Sequence, residues 1–277
     1  MYPTLAPDDR PLRPLANRGP GAIFLCYHSV HPDGPPYLSV RPELFAAHLR
    51  TLRHHGYRSG RCADLVALEA GDPPEQPLAF ITFDDGYVDN YEVALPILLE
   101  YGFSALVFLV TAQVGRPALV WPELSGAGVR YPDVMRPLSW EMVGAMAAAG
   151  VEFGSHTQTH PHLARLDDAM LEDELATSRA ELEARLGTCL TLAYPFGEWN
   201  GRVASRANAV GYRWAFSLPP GVRLGGPWCI PRVSVDHRDD ARRFAVKLHP
   251  AVRALTLSRT AHAARLARIR LRIARGG

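Results

Sequence analysis

The chain has 277 residues, 47% hydrophobic and 21% charged, an ordinary globular composition with length for one large α/β domain. Four scattered cysteines, Cys26, Cys62, Cys189 and Cys229, form no C-x-x-C pair; they argue for buried free thiols and against a disulfide framework or a cysteine metal site. Net charge is only +2, yet from Ala241 onward nine arginines and one lysine meet no acidic residue, so the rest of the chain is net acidic.

Residues 1–20 form a Pro-rich arm without the apolar core of a secretory signal, and no run elsewhere reaches transmembrane length. A cytoplasmic protein is the expectation. The body is expected at 21–240 and a basic, helical tail at 241–277. Residues 22–27 read as a first strand ending at His28, and Pro42 opens a helix to about His55 with Leu44, Phe45, His48, Leu49 and Leu52 on one face. The apolar run 78–83 reads as a buried strand, 91–101 as a helix and 105–110 as a strand.

From 111 to 137 the pattern lapses into a loop rich in Gly and Pro, long enough to border a substrate groove. Trp121 and Tyr131 on it are candidate sugar-stacking platforms, or else aromatics that pack a flap onto the body. Ser139 and Asp167 are expected to cap helices, the second running to about Leu186. Strands follow at 190–194, 214–217 and 228–235. Some seven strands alternating with helices predict a parallel (β/α) barrel.

Two motifs carry chemistry. Asp84 and Asp85 end the 78–83 strand, and His156 and His160 follow the short apolar segment 151–154. An Asp with two His offers the mixed oxygen and imidazole set that suits a zinc-like divalent ion with open positions. The spare aspartate is then free to act as a base. Successive strand residues face opposite ways, so both aspartates reach one site only if the chain turns there, which Gly86 allows. The two histidines share a face if their segment coils into a helical turn.

Thr82-Phe83-Asp84-Asp85-Gly86, Ser155-His156 to His160 and Tyr194-Pro195-Phe196-Gly197 resemble the first three motifs of the polysaccharide deacetylase family, carbohydrate esterase family 4 or NodB homology domain, over roughly residues 20 to 236. The resemblance implies a distorted (β/α) barrel and a metal-dependent deacetylase of acetylated glycans or sugar precursors. It implies Asp84 as general base, Asp85, His156 and His160 as ligands of a divalent metal, Zn2+ foremost with Co2+ or another divalent ion as alternatives, and the Phe196 N–H as oxyanion donor.

The chain departs from the usual pattern at two places. Ala193 stands where the family commonly has an Arg beside the catalytic Asp, and Arg232 is the best substitute. No clean match exists for the terminal His that protonates the leaving group; His237 lies at a suitable position, whereas His28 closes a strand and can face the same site. His162 reads as an outer residue rather than a third histidine ligand. With Tyr27-His28-Ser29-Val30 and Pro231-Arg232, the variant set is closer to the branch acting on exopolysaccharides such as poly-N-acetylglucosamine.

An O-acetyl esterase or small-amide hydrolase on the same site, and a non-catalytic glycan-binding relative, are the alternatives. The segment His262 to Gly277 reads as a basic helix with Leu266, Ile269 and Ile273 along one side, suited to an anionic membrane or acidic partner, or equally to packing on the barrel. Nucleic-acid binding is not expected, because no aromatics interleave with those charges.

Overall fold

The computed structural model describes residues 21–124, 127–218 and 227–256. Its strands are β1 (Ala22–Tyr27), β2 (Ser29–Val30), β3 (Ser39–Val40), β4 (Arg58–Ser59), β5 (Leu78–Phe83), β6 (Leu106–Leu109), β7 (Glu152–Ser155), β8 (Thr191–Ala193), β9 (Trp214–Ser217), β10 (Ile230–Pro231) and β11 (Val233–Ser234). The main sheet runs β10-β9-β8-β7-β6-β5-β1-β11, with β4 added on β5, and every strand ladder in it is parallel.

The two ends of that order are neighbours in the chain, separated by Arg232 alone. Ile230 and Pro231 pair with β9, Val233 and Ser234 register with β1, and the segment changes partner at Arg232. The Arg232 N–H donates to the Ser217 carbonyl at 3.0 Å and the Val235 N–H to the Cys26 carbonyl at 2.9 Å. One segment thus joins both edges of the sheet. Among the described residues this gives a wall of seven strands, near the number expected, with β4 as a short eighth, and the single strand expected at 228–235 is split in two at the seam.

All six residues of β1 and of β5 are buried, as strands with protein on both faces must be. Strand alternation sorts them into two cores. Ile23, Leu25 and Tyr27 of β1 join Ala79, Ile81 and Phe83 of β5 in the larger cluster, shared with helices, whereas Phe24 and Phe80 join Phe108, Trp214 and Phe216 in a smaller one inside the barrel. There Phe24 stacks on Phe80 with centroids 4.5 Å apart. Continuing the same alternation upward from this aromatic plug places Cys26 and His28 above Phe24, and Thr82 and Asp84 above Phe80.

Helices fall where their caps lie. Ser139 accepts from the Met142 N–H at the start of Trp140–Ala148, and Asp167 accepts from the Met170 N–H at the start of Asp168–Leu186. Barrel packing runs past residue 240: in helix Ala241–Leu248, Phe244 and Leu248 lie in the main core, and Phe244 stacks on His48 at 4.1 Å. The basic segment His262 to Gly277 lies outside the described residues. Among the described residues no helix is long and apolar enough to cross a membrane.

Gly154 on β7 faces the barrel interior. A Cβ there would sit 2.3 Å from Thr191 Oγ1 and 2.7 Å from the Phe108 ring. Gly154→Ala is therefore expected to destabilise the protein by about 1–3 kcal/mol, the usual cost of overpacking. Chemical denaturation checks this; unchanged stability would mean that β7 does not need the close approach.

Candidate active site

Alternation carries Asp84 into the barrel and would turn Asp85 outward. The chain avoids this by turning at two successive residues, Asp85 with φ 74° and Gly86 with φ 75°, not at the glycine alone. Asp is among the few residues that tolerate the left-handed region. At Gly86 the left-handed backbone favours glycine, and a Cβ would stand 2.6 Å from Leu109 Cδ2, so a larger residue would also force that side chain to move.

The histidine segment is not the helical turn expected from its spacing. Thr157 and His160 have φ of 69° and 66°, and the amides a helix would use are taken elsewhere. Glu174, buried on helix Asp168–Leu186, accepts the N–H groups of Gln158 and Thr159, both at 2.9 Å, together with the Thr159 hydroxyl. Ser155 Oγ accepts the Thr157 N–H at 2.9 Å, and Thr157 Oγ1 accepts that of His160 at 3.1 Å. Convergence of the two imidazoles comes from this side-chain scaffold.

Asp85 Oδ1 lies 3.5 Å from His156 Nε2 and 3.6 Å from His160 Nε2, too far for hydrogen bonds, and that oxygen has no hydrogen-bond partner among the described residues. Around an ion with bonds of about 2.1 Å, tetrahedral ligand atoms stand about 3.4 Å apart, so the spacing fits three ligands sharing a cation. His156 Nδ1–H donates to the Ala193 carbonyl at 2.8 Å, which fixes the tautomer and leaves Nε2 free to ligate. Burial, followed by the charge of Asp84, pushes the Asp85 carboxyl well up, and burial holds both imidazoles below their usual value. Neutral imidazoles beside a carboxylate that lacks a counter-charge suit a divalent cation.

Arg232 supplies the counter-charge that Asp85 lacks, but to Asp84. Its Nη1 donates to Asp84 Oδ1 at 2.6 Å and its Nη2 to Oδ2 at 2.8 Å, and Nη1 also donates to Thr82 Oγ1 at 2.9 Å. Both partners are essentially inaccessible, at 0% and 2% of side-chain exposure. Burial alone would raise the Asp84 carboxyl; Arg232, aided by His156 and His28, overcomes it and holds Asp84 well below the usual carboxylate range. The Cys26 thiol donates to Asp84 Oδ2 at 3.4 Å, a contact the sequence reading missed. His28 joins the group: its ring nitrogen, Cys26 Sγ and an Asp84 oxygen lie within 4.8 Å of one another. Enclosure lowers the His28 imidazole to about 4 against the pull of Asp84.

The remaining expected residues divide. Tyr194 is buried and its hydroxyl donates to the Trp228 carbonyl at 3.0 Å, tying the strand end before the turn Pro195–Gly197 to the segment ahead of β10. Phe196 and Gly197 are left-handed, with φ of 59° and 67°, and the Phe196 ring meets His160 edge-on at 4.6 Å. His237 is not in this cluster: its exposed ring donates from Nδ1 to the Pro36 carbonyl and lies beside Asp236. His162 bridges Glu123 and Glu198 at 3.1 and 2.9 Å, an outer residue as expected. Trp121 is no open sugar platform. It is buried and stacks on His160 at 4.4 Å, while Tyr131 packs into the same flap cluster. Glu174 escaped notice, although a Glu spaced with Leu171, Leu175, Ser178 and Leu182 on the buried face of its helix was a readable signal.

A family model described as polysaccharide deacetylase matches residues 71–215. YxkH of Bacillus subtilis, whose name refers to the same family, is 29% identical over 76% of this chain and 70% of its own length. The poly-beta-1,6-N-acetyl-D-glucosamine N-deacetylase of Escherichia coli K12 is 23% identical over 82% of this chain, a match that spans 38% of that enzyme. Among solved structures, IcaB from Ammonifex degensii superposes with a TM-score of 0.67 at 25% identity, covering 83% of this chain and 98% of that one. The Streptococcus pyogenes deacetylase PplD gives 0.71 at 24% identity, a likeness of fold.

Metal-stripped protein is expected to bind Zn2+, and Asp85→Ala to weaken that binding by at least about 10²-fold. Titration calorimetry checks both; unchanged affinity in the variant would remove Asp85 from the ligand set.

Proposed function

The chain belongs to the polysaccharide deacetylase family, whose model spans just over half of its length, and from that premise we propose that it is a metal-dependent hydrolase removing acetyl groups from the amino sugars of an acetylated polysaccharide. The observation that carries the proposal is the contrast between two adjacent buried carboxylates: Asp84 is charged by Arg232, and Asp85 is aligned with two neutral imidazoles. A degenerate glycan-binding relative has no need of that contrast. The named activity of the E. coli relative points to a poly-N-acetylglucosamine type of substrate.

Asp85, His156 and His160 would hold the ion, Zn2+ by the character of the donors, with Co2+ as a substitute. When bound, it supplies a Lewis acid that makes water acidic and polarises the acetyl carbonyl. Asp84, kept ionised by Arg232, takes the proton of the attacking water at a carboxylate oxygen. The Phe196 N–H, in the turn beside His160, donates to the oxygen that gains charge as the carbonyl becomes tetrahedral. His28 stands beside Asp84 and, neutral at rest, takes up that proton from the Asp84 carboxyl and passes it to the departing nitrogen, so that amide and water leave as acetate and amine. Trp121 over His160 keeps bulk water from the ligand side.

Zinc-loaded protein is expected to release acetate from β-1,6-linked N-acetylglucosamine oligomers in preference to O-acetylated xylan. Release from no N-acetylated glycan in a panel would contradict the proposal. Asp84→Asn is expected to lower kcat by about 10²–10⁴-fold while zinc content is retained; full turnover in that variant would show that the base lies elsewhere.

A further inference from the structure

His28 stands where the chain leaves the barrel wall. The last wall bond on this strand is the Asp84 N–H donating to the Tyr27 carbonyl at 3.0 Å. Beyond it, Ser29 and Val30 pair with Ser39 and Val40 in a separate two-stranded sheet. The barrel ladder therefore does not hold the backbone that carries the His28 imidazole, and something else must.

Asp89 and Asn90 do so from the segment that carries the catalytic pair. Asp89, 2% exposed, accepts the Ser29 hydroxyl on Oδ2 at 2.6 Å, and on Oδ1 the Val30 N–H at 3.0 Å and the Asn90 side-chain amide at 3.1 Å. Asn90, fully buried, donates from Nδ2 to the His28 carbonyl at 2.8 Å. The bonds thus land on three successive residues, His28, Ser29 and Val30. Ser39 braces the far side by donating to Ser29 Oγ at 2.8 Å.

A buried carboxylate is an expensive way to fill space. Burial pushes the Asp89 carboxyl up to about 6 even against those donors. Asn90–Ala94 is wound as a π-helical turn ahead of the helix Leu95–Tyr101, a widening often found at functional sites. The π turn begins at Asn90, the residue that reaches His28. Packing alone accounts for neither feature; fixing the residue that faces Asp84 accounts for both.

We infer that Asp89 and Asn90 are positioning residues that hold His28 against Asp84, tying proton donor and base to one stretch of chain. The inference rests on the role given to His28 in the proposed deacetylation.

A double-mutant cycle tests it in the full-length zinc-loaded protein, with acetate release from a β-1,6-linked N-acetylglucosamine oligomer, zinc content and thermal midpoint all measured. Asp89→Asn and Asn90→Ala are each expected to lower kcat by about 10–10²-fold, with KM and zinc content unchanged. In a His28→Gln background the same changes should cost little more, because their target is already gone. Losses of equal size in both backgrounds, or losses that follow zinc content, would overturn the inference. If Asp89→Asn does not fold, Asn90→Ala, which removes only an amide, carries the test. An inactive His28→Gln beside unimpaired Asp89→Asn and Asn90→Ala defeats the positioning alone. A fully active His28→Gln removes His28 from the mechanism and the inference with it.

Discussion

The buried pair between Asp84 and Arg232 is the constraint on which the rest depends. Arg232 occupies the single residue between the two edge-pairing strands, so the residue that closes the barrel is also the one that charges the base. Removing either member of such a pair leaves an uncompensated buried charge, typically at about 3–5 kcal/mol. Closure of the wall and ionisation of Asp84 are therefore one event. A family member lacking the usual Arg before its Tyr-Pro turn can keep its base charged because the seam supplies a guanidinium from elsewhere.

Two adjacent carboxylates in one dry cavity take opposite characters for a simple reason. Burial raises both, but among the described residues only Asp84 has a cation within hydrogen-bond reach, and it is lowered while Asp85 is raised. Environments that separate the pKa values of neighbouring acids assign their roles. Asp85 is left requiring positive charge, and the nearest donors are two imidazoles that burial keeps neutral. Below them the aromatic plug closes the barrel to water, and the site lies at the carboxyl ends of the strands, where barrel enzymes place their chemistry.

What could be read in the sequence was local. The run 78–83 is apolar, β-branched and aromatic, and it is a strand with those bounds; Ser139 and Asp167 cap the helices expected of them. The motif residues Asp84, Asp85, His156 and His160 come together as their spacing and the family resemblance implied. The histidine loop does not take the helical turn that its spacing allowed, because its geometry is dictated from another helix: Glu174 collects amides that an isolated segment would spend on a turn. Of the two readings open for Trp121, a glycan platform or an aromatic packing a flap onto the body, the structure gives the packed one, although nothing local shows that His160 will lie beneath it. His237 had the right position in the chain and the wrong one in space, held by Pro36. Arg232 could be nominated from sequence, but that it sits at the seam could not, since strand pairing between distant segments leaves no local pattern.

Arg232 is the main group that keeps the Asp84 carboxyl ionised inside the barrel. Carbon NMR titration of that carboxyl in metal-free protein, assigned by its absence in Asp84→Asn, tests this most directly when wild type and Arg232→Gln are compared. The wild-type carboxyl is expected to titrate well below the ordinary Asp value of about 3.9, and that of Arg232→Gln above it, as burial takes over. A wild-type carboxyl titrating at or above the ordinary value, or the same titration in both proteins, would contradict it.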